Sequence, residues 1–158
     1  MDFPVSIEGA LALGLEQARD GRPLPSTAPV AIARAIATHT LSQWSSILGA
    51  DIPRSALDAE IADTAEAIAA AVARPDTARS PLQVARDLVA QARARYSLAA
   101  ARWARVSLFV WRTRKDSRVR PEHAALDGKV FRFAQGAPGQ GLPGEPYGCR
   151  CSAEPLRR

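Results

Sequence analysis

The sequence predicts an α+β fold: a mostly helical N-terminal part, then a small loop-rich module with two or three short antiparallel strands. Three observations carry this. Apolar residues recur at helical spacing in four segments of the first hundred residues, each bounded by Pro or Gly. The pattern breaks at Val106, where Val106-Ser-Leu-Phe-Val-Trp-Arg-Thr113 is β-branched and aromatic and reads as a strand. From Ala134 to Gly148 eight of fifteen residues are Gly or Pro, which makes a loop without regular structure of its own. The expected division is residues 1–105 as a helical region and residues 106–158 as a C-terminal module carrying the Gly/Pro-rich loop 134–148.

In chain order, Pro4 to Arg19 reads as a short amphipathic helix, with Val5, Ile7, Leu11 and Leu15 near one face and Asp20-Gly21 as its stop. Residues 22–29, RPLPSTAP, hold three prolines in eight residues and cannot continue a helix. A second helix is expected from Val30 to Leu48, with Ile32, Ile36, Trp44 and Ile47 on its stripe, His39 beside that stripe as an ordinary helix residue, and Gly49 at its end. Ser55-Ala-Leu-Asp58 resembles a capping box with Asp in place of Glu or Gln. The helix after it runs to Arg74, with Leu57, Ile61, Ala65, Ile68 and Val72 facing one way. Ser80-Pro81-Leu-Gln83 is a full capping box with Pro at N1, so a fourth helix starts there and reaches Val106. Its apolar stripe reads Val84, Leu88, Ala92, Tyr96, Ala99 and Trp103. Arg95 and Arg102 fall on its edge, either snorkelling to solvent or reaching acceptors of the C-terminal module.

Along the first strand the chain alternates Val106, Leu108, Val110 and Arg112 against Phe109 and Trp111. Arg114 to Arg118 is a charged turn, Pro121 to Leu126 a single helical turn, and Asp127-Gly128 its stop. Lys129 to Phe133 reads as a second strand. A long loop follows, of the kind that in a compact module is functional, pinned or mobile, and Cys149-Arg-Cys151 closes its far end.

Composition narrows the function classes. Hydrophobic residues make up 47% of the chain, but much of this is alanine and only 6% is aromatic, so the core is thin and a partner is expected to add to its stability. No run of 18 apolar residues exists, and the acidic first residues lack the basic region of a secretory leader; neither a membrane span nor a signal peptide is expected. Residues 1–80 carry 6 basic and 10 acidic side chains, whereas residues 81–158 carry 15 and 6, a net charge of +9. Nineteen of the 21 basic residues are arginine, which suits bidentate contact with phosphate or carboxylate, although a GC-rich genome produces the same bias. Arg112, Arg114, Lys115, Lys129 and Arg132 are the candidates for a nucleic acid or acidic partner. The two cysteines, one residue apart, are poorly placed for a mutual disulfide and are expected to be reduced thiols.

The chemistry is concentrated between Trp111 and Cys151. Asp116, His123, Asp127, Cys149 and Cys151 admit three readings. One is a Zn²⁺ site formed by Cys149, Cys151 and His123 with Asp116 or Asp127, a staple that a small module with few apolar residues benefits from. Another is a metal-free polar network of Asp116, Arg118, Arg120, His123, Asp127 and Gly128, in which Arg118 or Arg120 pairs with Asp116, His123 meets a carboxylate and the thiols pack as small apolar groups. The last is a Cys–His nucleophile pair, for which the sequence names neither an electrophile-stabilising group nor a pocket; no catalytic residue and no small-molecule substrate are expected.

WRT from Trp111, DSRVRP from Asp116, then His123, LDGKVF from Leu126 and a late CRC-x-AEP from Cys149 resemble, in order and spacing, the signature of the phage Mu F-like minor head proteins, also called phage head morphogenesis proteins. The likeness covers roughly residues 100–156, and the family's polar motif falls on Asp116, Arg118, Arg120, His123, Asp127, Gly128, Cys149 and Cys151. It implies a minor structural protein of a tailed-phage or gene-transfer-agent head, located in the virion at the portal vertex or head interior. The implied partners are the portal protein or the inner capsid surface, and packaged DNA. A metal-dependent nuclease or other DNA-processing enzyme using Asp116, His123 and Asp127, or a simple DNA-binding module, stand as the rivals from other classes.

Overall fold

The computed structural model describes residues 6–22 and 24–157. Four helices lead into a three-stranded antiparallel sheet of order β2-β1-β3. The helices are α1 (Ile7–Arg19), α2 (Ala28–Leu48), α3 (Asp58–Ala73) and α4 (Pro81–Ala104); the strands are β1 (Leu108–Arg112), β2 (Val130–Arg132) and β3 (Ser152–Leu156); a single helical turn, α5 (Pro121–Ala124), lies between β1 and β2. The start expected for the first helix, Pro4-Val5, lies outside the described residues. Within them, Ser6 caps α1 by accepting the Gly9 N–H at 3.0 Å. The capping box at Ser80 forms with both of its hydrogen bonds. The one at Ser55 does not: a 3₁₀ turn, Arg54–Leu57, precedes α3, and α3 has no side-chain cap.

The fourth helix is more enclosed than one stripe allows. Besides Val84, Ala92, Tyr96 and Ala99, it buries Ala85, Val89 and Ala100 on or beside the stripe and Ala94 and Ala101 on the far side. Alanine carries little hydropathy signal, but its small side chain lets α1, α2, α3 and β3 all pack on this one helix. Trp103, placed on the stripe by spacing, is instead 49% exposed, as is Ile47 of α2 at 51%. Arg95 is half-buried and Arg102 exposed, and among the described residues neither reaches an acceptor of the C-terminal module. The arginine of α4 that finds a carboxylate is Arg93, 3.2 Å from Glu8.

An αL turn at Arg105 (φ 55°) redirects the chain from α4 into β1. Strand β1 is central and buried on both faces, so its alternation does not divide core from solvent: Leu108, Phe109, Val110 and Trp111 are all buried. Phe109 packs on Phe133 (centroids 4.8 Å apart) and Phe133 on Trp44 of α2 (5.7 Å), so one continuous core joins the helices to the sheet. Trp111 exchanges backbone hydrogen bonds with Lys129 and Gly128 on the β2 side, which turns Val110 and its alternates toward β3. On β3 the residues facing β1 are then Ser152, Glu154 and Leu156. Pro155 falls on the outer edge, where its missing N–H breaks no ladder bond.

Candidate functional site

Two segments far apart in sequence meet beside Trp111. Pro121 starts α5 and places His123, 2% exposed, against the indole, with ring centroids 5.4 Å apart at 67°. The chain entering β3 brings Cys149, 3% exposed, and the half-buried Cys151 to the same point. The Nδ1 atom of His123 lies 3.6 Å from each sulfur. The three donor atoms all lie within 4.8 Å of one another, so the group can hold a metal ion. Bond lengths of Zn²⁺ to imidazole and thiolate at a tetrahedral angle put N and S about 3.6 Å apart, so both N–S distances fit the ion. Beside the cluster lies a cavity of about 20 Å³, the size of a single water or ion, lined by Arg114, Arg118, Arg120 and Arg150 as well as by the three donors.

The two thiols perturb one another. Cys151 donates to Cys149, which lowers the Cys149 pKa to about 6 against the opposing effect of burial, with help from backbone N–H groups including that of Gly144. The same contact, with burial, pushes the Cys151 thiol up. The Trp111 indole N–H has no hydrogen-bond partner of normal geometry, yet it favours charge on Cys151. A metal ion held there by His123, Cys149 and Cys151 would take both sulfurs as thiolates.

The surrounding loop is pinned rather than free. The Gly144 N–H donates to Cys149 Sγ at 3.3 Å. A Cβ on Gly144 would lie 2.5 Å from the Ala90 carbonyl oxygen of α4, at φ +98°, so only glycine brings this N–H to the sulfur. Asp87 of α4, buried, accepts the Gly148 N–H at 2.9 Å and Arg79 Nη1 at 2.8 Å, and Arg79 in turn lies over the Tyr147 ring. Gln140 Oε1 sits 2.9 Å from His123 Nε2. The sequence pointed to neither Asp87 nor Gln140, since each acts through a contact made only by folding.

Other expected site residues are engaged differently from the sequence expectation. Asp116 is not part of the donor cluster. It forms a two-point ion pair with Arg150 (2.6 and 2.8 Å) and accepts the Arg118 backbone N–H at 3.1 Å, so neither the Arg118 nor the Arg120 side chain is its partner. Arg120 instead donates to the Tyr147 carbonyl at 3.0 Å. Asp127 accepts the backbone N–H of Thr113 at 2.8 Å and its hydroxyl at 3.1 Å, and Gly128 donates to the Trp111 carbonyl at 2.8 Å. His123 meets an amide, not a carboxylate. The Asp116–His123–Asp127 constellation expected of a nuclease is therefore not assembled, because each carboxylate is held by a closer donor. His39 is exposed on α2, outside the cluster. Arg112 is bound bidentately to Glu154 (2.9 and 3.0 Å) and Lys115 lies 3.8 Å from Asp127, while Arg114, Lys129 and Arg132 are exposed.

Arg150 holds the Asp116 carboxyl below the ordinary carboxylate range. A depressed folded-state pKa adds stability that is present above the unfolded pKa of about 4 and is lost as pH falls through the folded value. Because this pair is exposed, Asp116→Ala is expected to lower the melting temperature at pH 7 by no more than about 2 °C. The difference from wild type closes in acid. Calorimetry at pH 7 and pH 3 checks this; a large loss that persists at pH 3 would assign Asp116 another role.

No helix among the described residues is long and apolar enough to cross a membrane. Comparison with solved structures found no match. A protein of Haemophilus influenzae, described only as uncharacterized, is 29% identical over 80 residues, covering 51% of this chain and 18% of that relative; the chain thus spans under a fifth of the relative's length. A family model, Phage Mu protein F like protein, matches residues 57–154, from the end of the 3₁₀ turn before α3 into β3 and across all of the site. The match reaches some forty residues further toward the N-terminus than the motif resemblance did, and on that extent the chain belongs to the Phage Mu protein F like family.

Proposed function

We propose that the protein is a minor head component of a tailed phage or phage-like particle, acting in head morphogenesis at the portal vertex or inner capsid surface, with a Zn²⁺ ion on His123, Cys149 and Cys151 as a structural staple. Family membership across residues 57–154 carries the first part; the equal N–S distances of 3.6 Å support the second. Bound there, Zn²⁺ would tie α5 to the entry of β3. The chain's own residues supply the support: Trp111 packs on the imidazole, Gly144 donates to Cys149, and Asp87 anchors Gly148.

Leu13, Ile47, Trp103 and Tyr147 are each about half exposed or more and are available to a docking partner. The exposed Arg114, Arg118, Lys129 and Arg132 suit a polyanion, for which packaged DNA is the candidate. Co-expression with the portal protein of the same particle, followed by gel filtration, is expected to show co-elution at low and moderate salt. The bound chain is expected to melt above the free one, because a partner that binds only the folded form stabilises it. Failure to co-elute, together with absence from purified particles by mass spectrometry, would sink this reading.

A further inference from the structure

We infer that Gln140 is the positioning residue of the metal site: its amide oxygen holds the Nε2–H of His123 and so turns the unprotonated Nδ1 toward the ion. The inference rests on the Zn²⁺ reading above and extends it to the loop.

A neutral imidazole carries one N–H, and the other nitrogen is its only donor to a metal. The Gln140 oxygen, 2.9 Å from Nε2, is an acceptor only, so the ring proton belongs on Nε2. That leaves the Nδ1 lone pair facing Cys149 and Cys151, 3.6 Å from each sulfur. Without Gln140 the opposite tautomer gains ground, because an Nδ1–H faces sulfur acceptors on both Cys149 and Cys151 at 3.6 Å. A metal must then expel that proton before it binds.

The backbone aims Gln140 firmly. Its N–H and that of Gly141 both donate to the Ala137 carbonyl at 3.0 Å, and the Ala137 N–H returns a bond to the Gly141 carbonyl at 2.8 Å. Ala137 is buried, and Gly136 passes so close that a Cβ there would lie 2.5 Å from the Gly141 backbone. This closed turn presents Gln140 to the histidine, while Gly144, further along the same loop, presents its N–H to Cys149. The Gly/Pro-rich loop thus supports both kinds of ligand, imidazole and thiolate. Its composition serves close backbone approach.

The test uses the full chain titrated with Co²⁺ against a competing chelator and read by the visible absorption bands of the bound ion. Replacing a hydrogen-bond partner of a ligating histidine typically costs 10- to 100-fold in affinity, and a loss of roughly that size is expected for Gln140→Leu, whereas Gln140→Glu, which keeps an oxygen acceptor, is expected to stay within about threefold of wild type. A residue that merely supported the loop would lower the melting temperature of both variants without separating their affinities. Independently, nitrogen-15 spectra of the metal-free wild-type chain are expected to show His123 protonated on Nε2; this arm holds even where Gln140→Leu fails to fold. Wild-type affinity in Gln140→Leu, or an Nδ1–H tautomer in the wild type, would overturn the role of Gln140 alone. A wild-type chain that takes up no Co²⁺ would overturn the metal reading and this inference with it.

Discussion

Purified from zinc-replete medium, the chain is expected to carry close to one Zn²⁺ per polypeptide, and Cys149→Ser to carry almost none and to lose on the order of 4 kcal/mol of stability. That figure corresponds to a ligand held at about 1,000 times its dissociation constant, and structural zinc sites commonly bind more tightly. Cys149 is the donor whose loss matters most. It is 3% exposed and receives both the Cys151 thiol and the Gly144 N–H, so a hydroxyl in its place offers the ion a poor ligand. Chelator added to the wild type separates lost metal from lost packing: the chelated wild type is expected to melt close to the variant. A folded wild type without metal by elemental analysis, melting at the same temperature with and without chelator, would end the zinc assignment. The metal-free polar network, with both thiols packed beside His123, would then stand in its place.

Trp111→Ala is expected to be the most damaging single change in the sheet, at about 3–5 kcal/mol. The indole is fully buried and is the largest such side chain in the described chain. It meets His123 edge-on at 5.4 Å and Phe131 at 6.3 Å, so its removal opens a cavity between the core and the donor cluster. In a chain of this size that loss lowers the melting temperature by roughly 10 °C or more, and metal affinity is expected to fall with it as His123 loses its support. Trp103→Ala is the control. Spacing puts Trp103 on the apolar stripe of α4, but it is 49% exposed, and a substitution there is expected to cost far less. Similar losses for the two tryptophans, by calorimetry on the isolated chain, would contradict the placement of Trp111 as the link between core and site.

Several elements follow from local chemistry and are legible in the sequence. Ser80-Pro81-Leu-Gln83 starts a helix because the side chains of a capping box satisfy backbone donors within one turn. The β-branched and aromatic run after Val106 is a strand, and the charged turn and Pro121 set up the single helical turn carrying His123. The grouping of His123 with Cys149 and Cys151 is legible as chemistry, because few other residue types in the module ligate a soft metal. Where local signals are weak, tertiary packing decides. Asp at the fourth position of Ser55-Ala-Leu-Asp58 does not complete a capping box, and alanine-rich α4 hides how many of its faces are covered.

The sequence by itself determined the helix starts, the strand composition and the set of groups able to bind metal, because those depend on neighbours within a turn or two of chain. Which of those groups meet was decided only by the tertiary structure. Asp116 belongs to Arg150, 34 residues away, since the chain entering β3 brings that guanidinium within 2.6 and 2.8 Å, while Arg118 meets it only through its backbone N–H and Arg120 is held by the Tyr147 carbonyl. Gln140 belongs to His123 because a closed turn carries it back 17 residues, and Asp87 belongs to Gly148 across 61. A hydrogen bond or ion pair depends on distances of a few tenths of an ångström, and such distances between remote residues exist only once the helices and the sheet have packed around Trp111.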